Sequence, residues 1–259
     1  MSLANILMLS EKRRNILLLL QEGPKDSKEI KCSLNSTWDL LKHPIKELKE
    51  DGLITHDNGV YGLSNTGKMM IESAFPLLSM LDAFEENTSY WNNRDLAKIP
   101  KDLRKRIGEI GDYELVVPDV DHMFEPFKNF IIESSNTNYL KAVLVMFNPA
   151  VPAILSEIVE RGVEISLVLT ENYVKKLKDM TPAELNKLLS SKNTDIFVFN
   201  DDIKPPQIML TDHNMTIIIF DQKGKYDYKE LVNSDEKALN WGQELFMYYK
   251  HMARPLTEI

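Results

Sequence analysis

The chain holds a single cysteine, Cys32, among 259 residues. No intrachain disulfide can form, and no thiolate cluster for zinc or an iron–sulfur centre can be built, so a reducing cytoplasm is the expected compartment. Long apolar runs are missing as well. None reaches the ~18–20 residues that a membrane span needs; one candidate, Ile16 to Leu20, reads as the inner face of a helix. Lys12, Arg13 and Arg14 follow the first apolar stretch instead of preceding it, so no cleavable signal is expected. Gly-x-Gly-x-x-Gly, phosphate-loop, Gly-x-Ser-x-Gly and His-Glu-x-x-His patterns are all absent. The histidines at positions 43, 56, 122, 213 and 251 never stand two residues before a lysine, which excludes a His-x-Lys phosphodiesterase pair. No catalytic residue, cofactor or metal is assigned.

What is present is an ordinary globular composition, 43% hydrophobic and 27% charged, with a net charge of −8. The charge is unevenly placed. Residues 1–68 carry 10 Lys/Arg against 9 Asp/Glu, and the remainder 21 against 30. A nearly neutral head on an acidic body leaves the head as the part a polyanion can approach.

The head reads as helix, short helix, turn, helix, hairpin. Residues 5–22 form an amphipathic pattern through Ile6, Leu9, Ile16, Leu17 and Leu20, ended by Gly23-Pro24. Asp26 or Ser27 can cap a second helix to about Lys31; after a turn a third runs from about Thr37 to Asp51, stopped by Gly52. Leu53 to His56 and Val60 to Leu63 flank Asp57-Asn58-Gly59, and Asn-Gly tolerates the positive φ of a tight hairpin. Ser64 then caps another helix. This order is the winged helix-turn-helix layout, in which the third helix reads the major groove and the hairpin reaches flanking backbone.

Leu41, Ile45 and Leu48 must face the head's core, with Leu53 behind them. Trp38, Asp39, Lys42, His43 and Lys46 then face outward, and Ser36 and Thr37 can cap the helix and present a donor to phosphate. His56, Asn58 and Tyr61 are candidate wing contacts. Pro44 is expected to kink the third helix, or else to mark a later start near His43.

Residues 69–92 read as a helical linker whose Met70, Ala74, Leu77, Leu81 and Phe84 step at heptad spacing, either a dimer seam or a face packed on its own domains. From 93 to 259 the pattern becomes α/β. Tyr113 to Val117, Lys141 to Phe147, Val163 to Leu169, Asp195 to Phe199, Gln207 to Leu210 and Met215 to Phe220 read as strands. The helix Val151 to Arg161 makes a parallel crossover. Thr181-Pro182-Ala183-Glu184 reads as a capping box. A last helix from about Ser234 to Met252 buries Ala238, Trp241, Gly242, Leu245, Tyr249 and Met252. Asp201-Asp202 and Asp119/Asp121 fall in strand-end loops, where ligands bind open sheets, and His213 reads as a turn residue.

Two stretches carry a resemblance. Leu34 to Ile54, with its Leu48-x-x-x-Gly52-Leu53-Ile54 signature, and Leu63-Ser64-Asn65-Thr66-Gly67 resemble the archaeal branch of the ArsR-like winged helix regulators. Asp95 to Leu115 resembles the domain that follows the head in regulators of methanogenic archaea. Together these imply a DNA-binding transcription regulator linked to methanogen physiology. The α/β part is similar to a phospholipase-D-like sheet without the catalytic pair, and Cys32 alone makes no ArsR-type metal site. The fold class expected is an α+β head, a helical linker and an α/β domain with a mixed sheet. The partners expected are double-stranded DNA, a second copy of the chain and a small-molecule effector of unknown class. The rival reading is an enzyme or small-molecule binding module whose winged helix serves protein interaction.

Overall fold

The computed structural model describes residues 10–118, 137–200 and 204–256. The expected positions Ile6 and Leu9, Asp119/Asp121, His122 and Asp201-Asp202 lie outside these. The chain divides into two compact units, Met1–Ser79 and Met80–Ile259.

The first unit has helix α1 (Glu11–Gln21), strand β1 (Lys25–Asp26), α2 (Ser27–Ser33), α3 (Trp38–Glu50), β2 (Ile54–Asp57), β3 (Val60–Leu63) and the start of α4 (Asn65–Glu86). Its core gathers Ile16, Leu17 and Leu20 of α1, Ile30 of α2, Leu41, Ile45 and Leu48 of α3, and Leu53 and Ile71. The 4-and-3 spacing on α3 therefore does face inward. Asp26 closes a capping box with Glu29, its carboxylate accepting from the backbones of Lys28 and Glu29 at 2.7 and 2.9 Å. Those bonds hold its pKa below the ordinary aspartate value.

Asn58 and Gly59 take φ of 51° and 81°, the positive angles a two-residue turn demands, and β2 pairs with β3 from Asp57↔Val60 to Ile54↔Leu63. Sequence reading missed β1, only two residues long. It adds a third strand through Lys25↔Tyr61 and Asp26↔Val60, giving the order β1-β3-β2. Helix α3 runs unbroken from Trp38 through Pro44, so the alternative start near His43 does not occur. Thr37 is its N-cap residue, yet its side chain makes no capping bond. Ser64 does cap, donating to the carbonyl of Gly52 at 2.6 Å and accepting from the Gly67 amide at 3.0 Å. A Cβ at Gly67 would lie 2.0 Å from the Leu53 carbonyl oxygen, so only glycine permits α4 to start against that strand.

Helix α4 continues through Pro76 across the division between the units. Met70, Ile71 and Ala74 belong to the first core, while Ala83 and Phe84 pack with the second. Leu77 and Leu81 are each 39% exposed. The heptad-spaced positions thus do not share one fate.

The second unit is an eight-stranded mixed sheet with helices on both faces. Its elements are α5 (Thr88–Trp91), α6 (Lys101–Lys105), β4 (Glu114–Val116), β5 (Tyr139–Leu144), α7 (Val151–Glu160), β6 (Glu164–Thr170), α8 (Glu171–Met180), α9 (Pro182–Ser190), β7 (Thr194–Phe199), β8 (Gln207–Leu210), β9 (Met215–Ile218), β10 (Glu230–Asn233), α10 (Glu236–Met252) and β11 (Arg254–Pro255). The order is β11-β7-β6-β5-β8-β9-β10-β4. Strands β5, β6 and β7 are parallel, as the strand–helix–strand spacing requires, and the β8–β9 and β9–β10 pairs are antiparallel.

Alternate residues of the central strands feed different cores. Leu140, Ala142 and Leu144 of β5 meet α7, α8 and α9, whereas Val143 faces α10, whose Trp241, Leu245 and Phe246 are fully buried. The Trp241 indole donates to the Leu103 carbonyl at 3.0 Å. Covered on both sides, these strands lose the polar alternation of a half-exposed sheet. Three local expectations fail. Thr181 makes no side-chain cap, and its hydroxyl turns back to the Leu177 carbonyl. Met252, the last residue of α10, is 47% exposed. Strand β9 stops at Ile218. Sequence reading also passed over α8, β10 and β11.

Candidate nucleic-acid interface and sheet-end cleft

The outward surface of α3 carries Thr37, Asp39, Lys42, His43 and Lys46, all exposed. Ser36 and Trp38 are half-buried: Trp38 packs against the head's core and does not stand free on the outward face as expected. Its ring lies 5.9 Å from that of Tyr61 on β3, and Tyr61 in turn stacks on His56 of β2, centroids 4.0 Å apart and planes within 9°. His56 and Tyr61 are directly cross-strand partners, which explains the stacking. Three sequence-derived candidates are thereby brought into one aromatic row linking the start of α3 to the hairpin. Asn58 sits exposed at the hairpin tip.

Charge on this surface is more balanced than the lysines alone suggest. Lys46 pairs with Glu50 at 3.6 Å, and His43 Nδ1 lies 3.2 Å from Glu47, which also meets Arg13 of α1 at 3.1 Å. Lys42 is exposed and forms no ion pair among the described residues. The exposed Lys46–Glu50 pair is worth little, ~0–1 kcal/mol, and opens readily to a phosphate. Leu40, 53% exposed on the same helix, escaped sequence analysis because its neighbour Leu41 satisfies the core period.

In the second unit a cleft of about 450 Å³ opens where the parallel strands end, lined by Met146, Thr170, Asn172, Lys175, Lys204 and Phe220. Met146 also borders a smaller cavity of about 50 Å³. This is the edge of an open α/β sheet at which ligands bind. His213 lies in the β8–β9 turn, its side chain 59% exposed and 3.8 Å from Asp212. Among the described residues no group of three or more His, Cys, Asp or Glu could hold a metal, and no helix is long and apolar enough to cross a membrane.

Fold and site together define a two-unit protein: a small three-helix head with a hairpin and a helix that exposes Lys42 and Lys46, and an α/β unit with a sheet-end cleft. The first unit matches the N-terminal domain of the methanogenesis regulatory protein FilR1 over residues 3–83, and residues 123–252 match the middle domain of that protein. The chain belongs to the FilR1 family. It is 26% identical over 257 residues to the methanogenesis regulatory protein FilR1 of Methanothrix harundinacea (strain 6Ac), covering 96% of this chain and 57% of that relative's length. Among solved structures it is similar to TrmBL2, an archaeal chromatin protein, at 12% identity and TM-score 0.42 over 98% of this chain and 100% of that one. It is also similar to Nuc, a phospholipase D family member from Salmonella typhimurium, at 13% identity and TM-score 0.40, covering 51% and 91% of the two chains. At TM-scores below 0.5 neither likeness bears on function.

Proposed function

We propose that this chain is a sequence-specific DNA-binding transcription regulator whose second unit senses a small molecule, with no catalytic role. In this reading the head is an ArsR-like winged helix-turn-helix. Helix α3 enters the major groove with Lys42 and Lys46, and the β2–β3 wing lies along the flanking backbone through His56, Asn58 and Tyr61. Ser36, Thr37, Asp39 and His43 complete the reading face, with Trp38 half-buried behind it. The observation that carries the proposal is the aromatic row Trp38–Tyr61–His56. It fixes the wing to the start of the helix that bears the exposed lysines, so both can meet one duplex without the cost of ordering them on binding. Membership of a regulatory protein family agrees with it.

The protein acts as a homodimer on a two-fold site, with α4, exposed at Leu77 and Leu81, as the seam. A head without excess positive charge favours two copies binding together. The second unit is a non-catalytic relative of the phospholipase-D-like sheet, acting in the cytoplasm. Titration of labelled duplex with the full chain at several salt concentrations tests the reading: affinity must fall steeply as salt rises. A salt-independent interaction, or none with any duplex, would remove it and leave the head as a protein-docking module.

A further inference from the structure

The smaller cavity beside the cleft is built unlike a packing defect. Phe147 and Tyr173 border it in edge-to-face contact, ring centroids 5.3 Å apart; Tyr226 and Tyr228 border it as a second edge-to-face pair at 4.5 Å. Glu230, the first residue of β10, also lines the cavity, at 4% exposure. Burial is the one influence acting on its carboxyl, with no hydrogen bond or charged partner among the described residues. The Tyr173 hydroxyl, in a side chain 2% exposed, is likewise without a partner. An unpaired carboxyl in apolar surroundings is costly, and a protein that keeps one there gains from whatever pairs with it.

The loop bearing the second aromatic pair is held in place. Asp227, between Tyr226 and Tyr228, takes both terminal nitrogens of the buried Arg94, at 2.9 and 2.5 Å. Arg94 also donates to the Ile219 carbonyl at 3.0 Å and lies 4.0 Å above the Tyr90 ring, so its charge is spent on the scaffold. Tyr228 adopts φ of 59°, a left-handed conformation that a bulky residue holds only when its surroundings enforce it.

We propose that this cavity binds the head group of a small organic ammonium ion, with Glu230 as its counter-ion and the Phe147, Tyr173, Tyr226 and Tyr228 rings as its walls. Ring faces and a carboxylate both attract a cation and both repel an anion. The Tyr173 hydroxyl supplies an acceptor for an ammonium proton. An interior of about 50 Å³ admits a head group of a few heavy atoms, and the larger cleft across Met146 takes the rest of the ligand. Desolvation pushes the Glu230 carboxyl up to about 7 in the empty site, so a bound cation draws out its proton near neutral pH. As an effector site the cavity rests on the sensing role proposed above; as a binding site it stands without it.

The test uses the full chain without DNA, titrated calorimetrically with propylammonium chloride, 1-propanol and sodium propionate, three solutes of one shape and different charge. Saturable 1:1 binding is expected for propylammonium alone. Glu230→Gln should weaken it about tenfold or more, the value of one charged hydrogen bond, while its melting temperature does not fall. Tyr226→Phe, which keeps the ring, should bind like the parent, and Tyr226→Leu should bind more weakly. No saturable propylammonium binding, equal binding of propanol, or an unchanged affinity in Glu230→Gln would each overturn the proposal. Because DNA is absent, failure of the DNA-binding reading leaves these outcomes readable, and their failure leaves that reading untouched.

Discussion

His56 and Tyr61 face each other across the hairpin with their rings stacked 4.0 Å apart, and Tyr61 hands the contact on to Trp38 at the start of α3. The hairpin is therefore coupled to α3 through side chains, in addition to the three-stranded pairing. Tyr61→Ala should remove both ring contacts, each worth ~0.5–1.5 kcal/mol. Hydrogen exchange in the hairpin should quicken, and DNA affinity should fall by more than a surface contact alone would cost. Tyr61→Phe should behave like the parent in both measurements.

Gly67 stands where a side chain cannot. A Cβ there would meet the Leu53 carbonyl oxygen at 2.0 Å, and neither backbone can give way without unseating Leu53, which is fully buried. Gly67→Ala should lower the head's stability by about 3 kcal/mol or more despite alanine's better helix propensity. A melting temperature equal to the parent's would show that α4 starts differently.

Stability should decline from mildly acidic to neutral pH. The Glu230 carboxyl, ordinarily near 4.5, is raised to about 7 by burial. The folded chain thus holds a proton that the unfolded chain releases. This stabilisation is complete below about 4.5 and lost as pH rises through 7, about 3 kcal/mol over the window. Burial also raises the hydroxyls of Tyr226 and Tyr173, which line the same cavity, and Asp227 is held by Arg94. Denaturant melts of the parent and Glu230→Gln between pH 5 and 8 check this: the variant's profile should be flatter.

Arg94, which is buried, pairs with the half-buried Asp227 from far along the chain. Asp227→Ala should cost about 3–5 kcal/mol, because it strands a charge whose side chain is 1% exposed. Loss of the aromatic walls of the small cavity should accompany it. A double variant, Arg94→Met with Asp227→Ala, should recover part of the stability.

Much of the head is legible in the sequence because its signals are local. The 4-and-3 spacing of Leu41, Ile45 and Leu48, the Asn58-Gly59 turn and the Ser64 cap each need only a few adjacent residues, and each appears in place. The parallel β5–β6 pair follows similarly from two apolar runs around a helix. Strand β1 escaped because two residues carry no period, and β10 because Glu230 reads as a loop charge when its burial is unknown. Thr181 and Glu184 have the spacing of a capping box, but the Thr181 hydroxyl bonds backward to Leu177 instead. Lys42 and Lys46 are legible as exposed, but spacing does not fix which side chains pair: Glu50 meets Lys46, and Glu47 meets His43. The cavity was invisible, since its walls come from loops, a helix and strands separated by dozens of residues and brought together by the sheet order β5-β8-β9-β10.

The central claim is that α3 reads DNA through Lys42 and Lys46. Its most direct test is the salt dependence of duplex binding by the full chain and by the Lys42→Ala/Lys46→Ala variant. The parent should lose affinity linearly on a logarithmic salt scale; the variant should bind more weakly, with a slope shallower by about one unit for each lysine that meets a phosphate. Equal affinity and equal slope for the two proteins would contradict the account and place the nucleic-acid surface, if there is one, elsewhere on the chain.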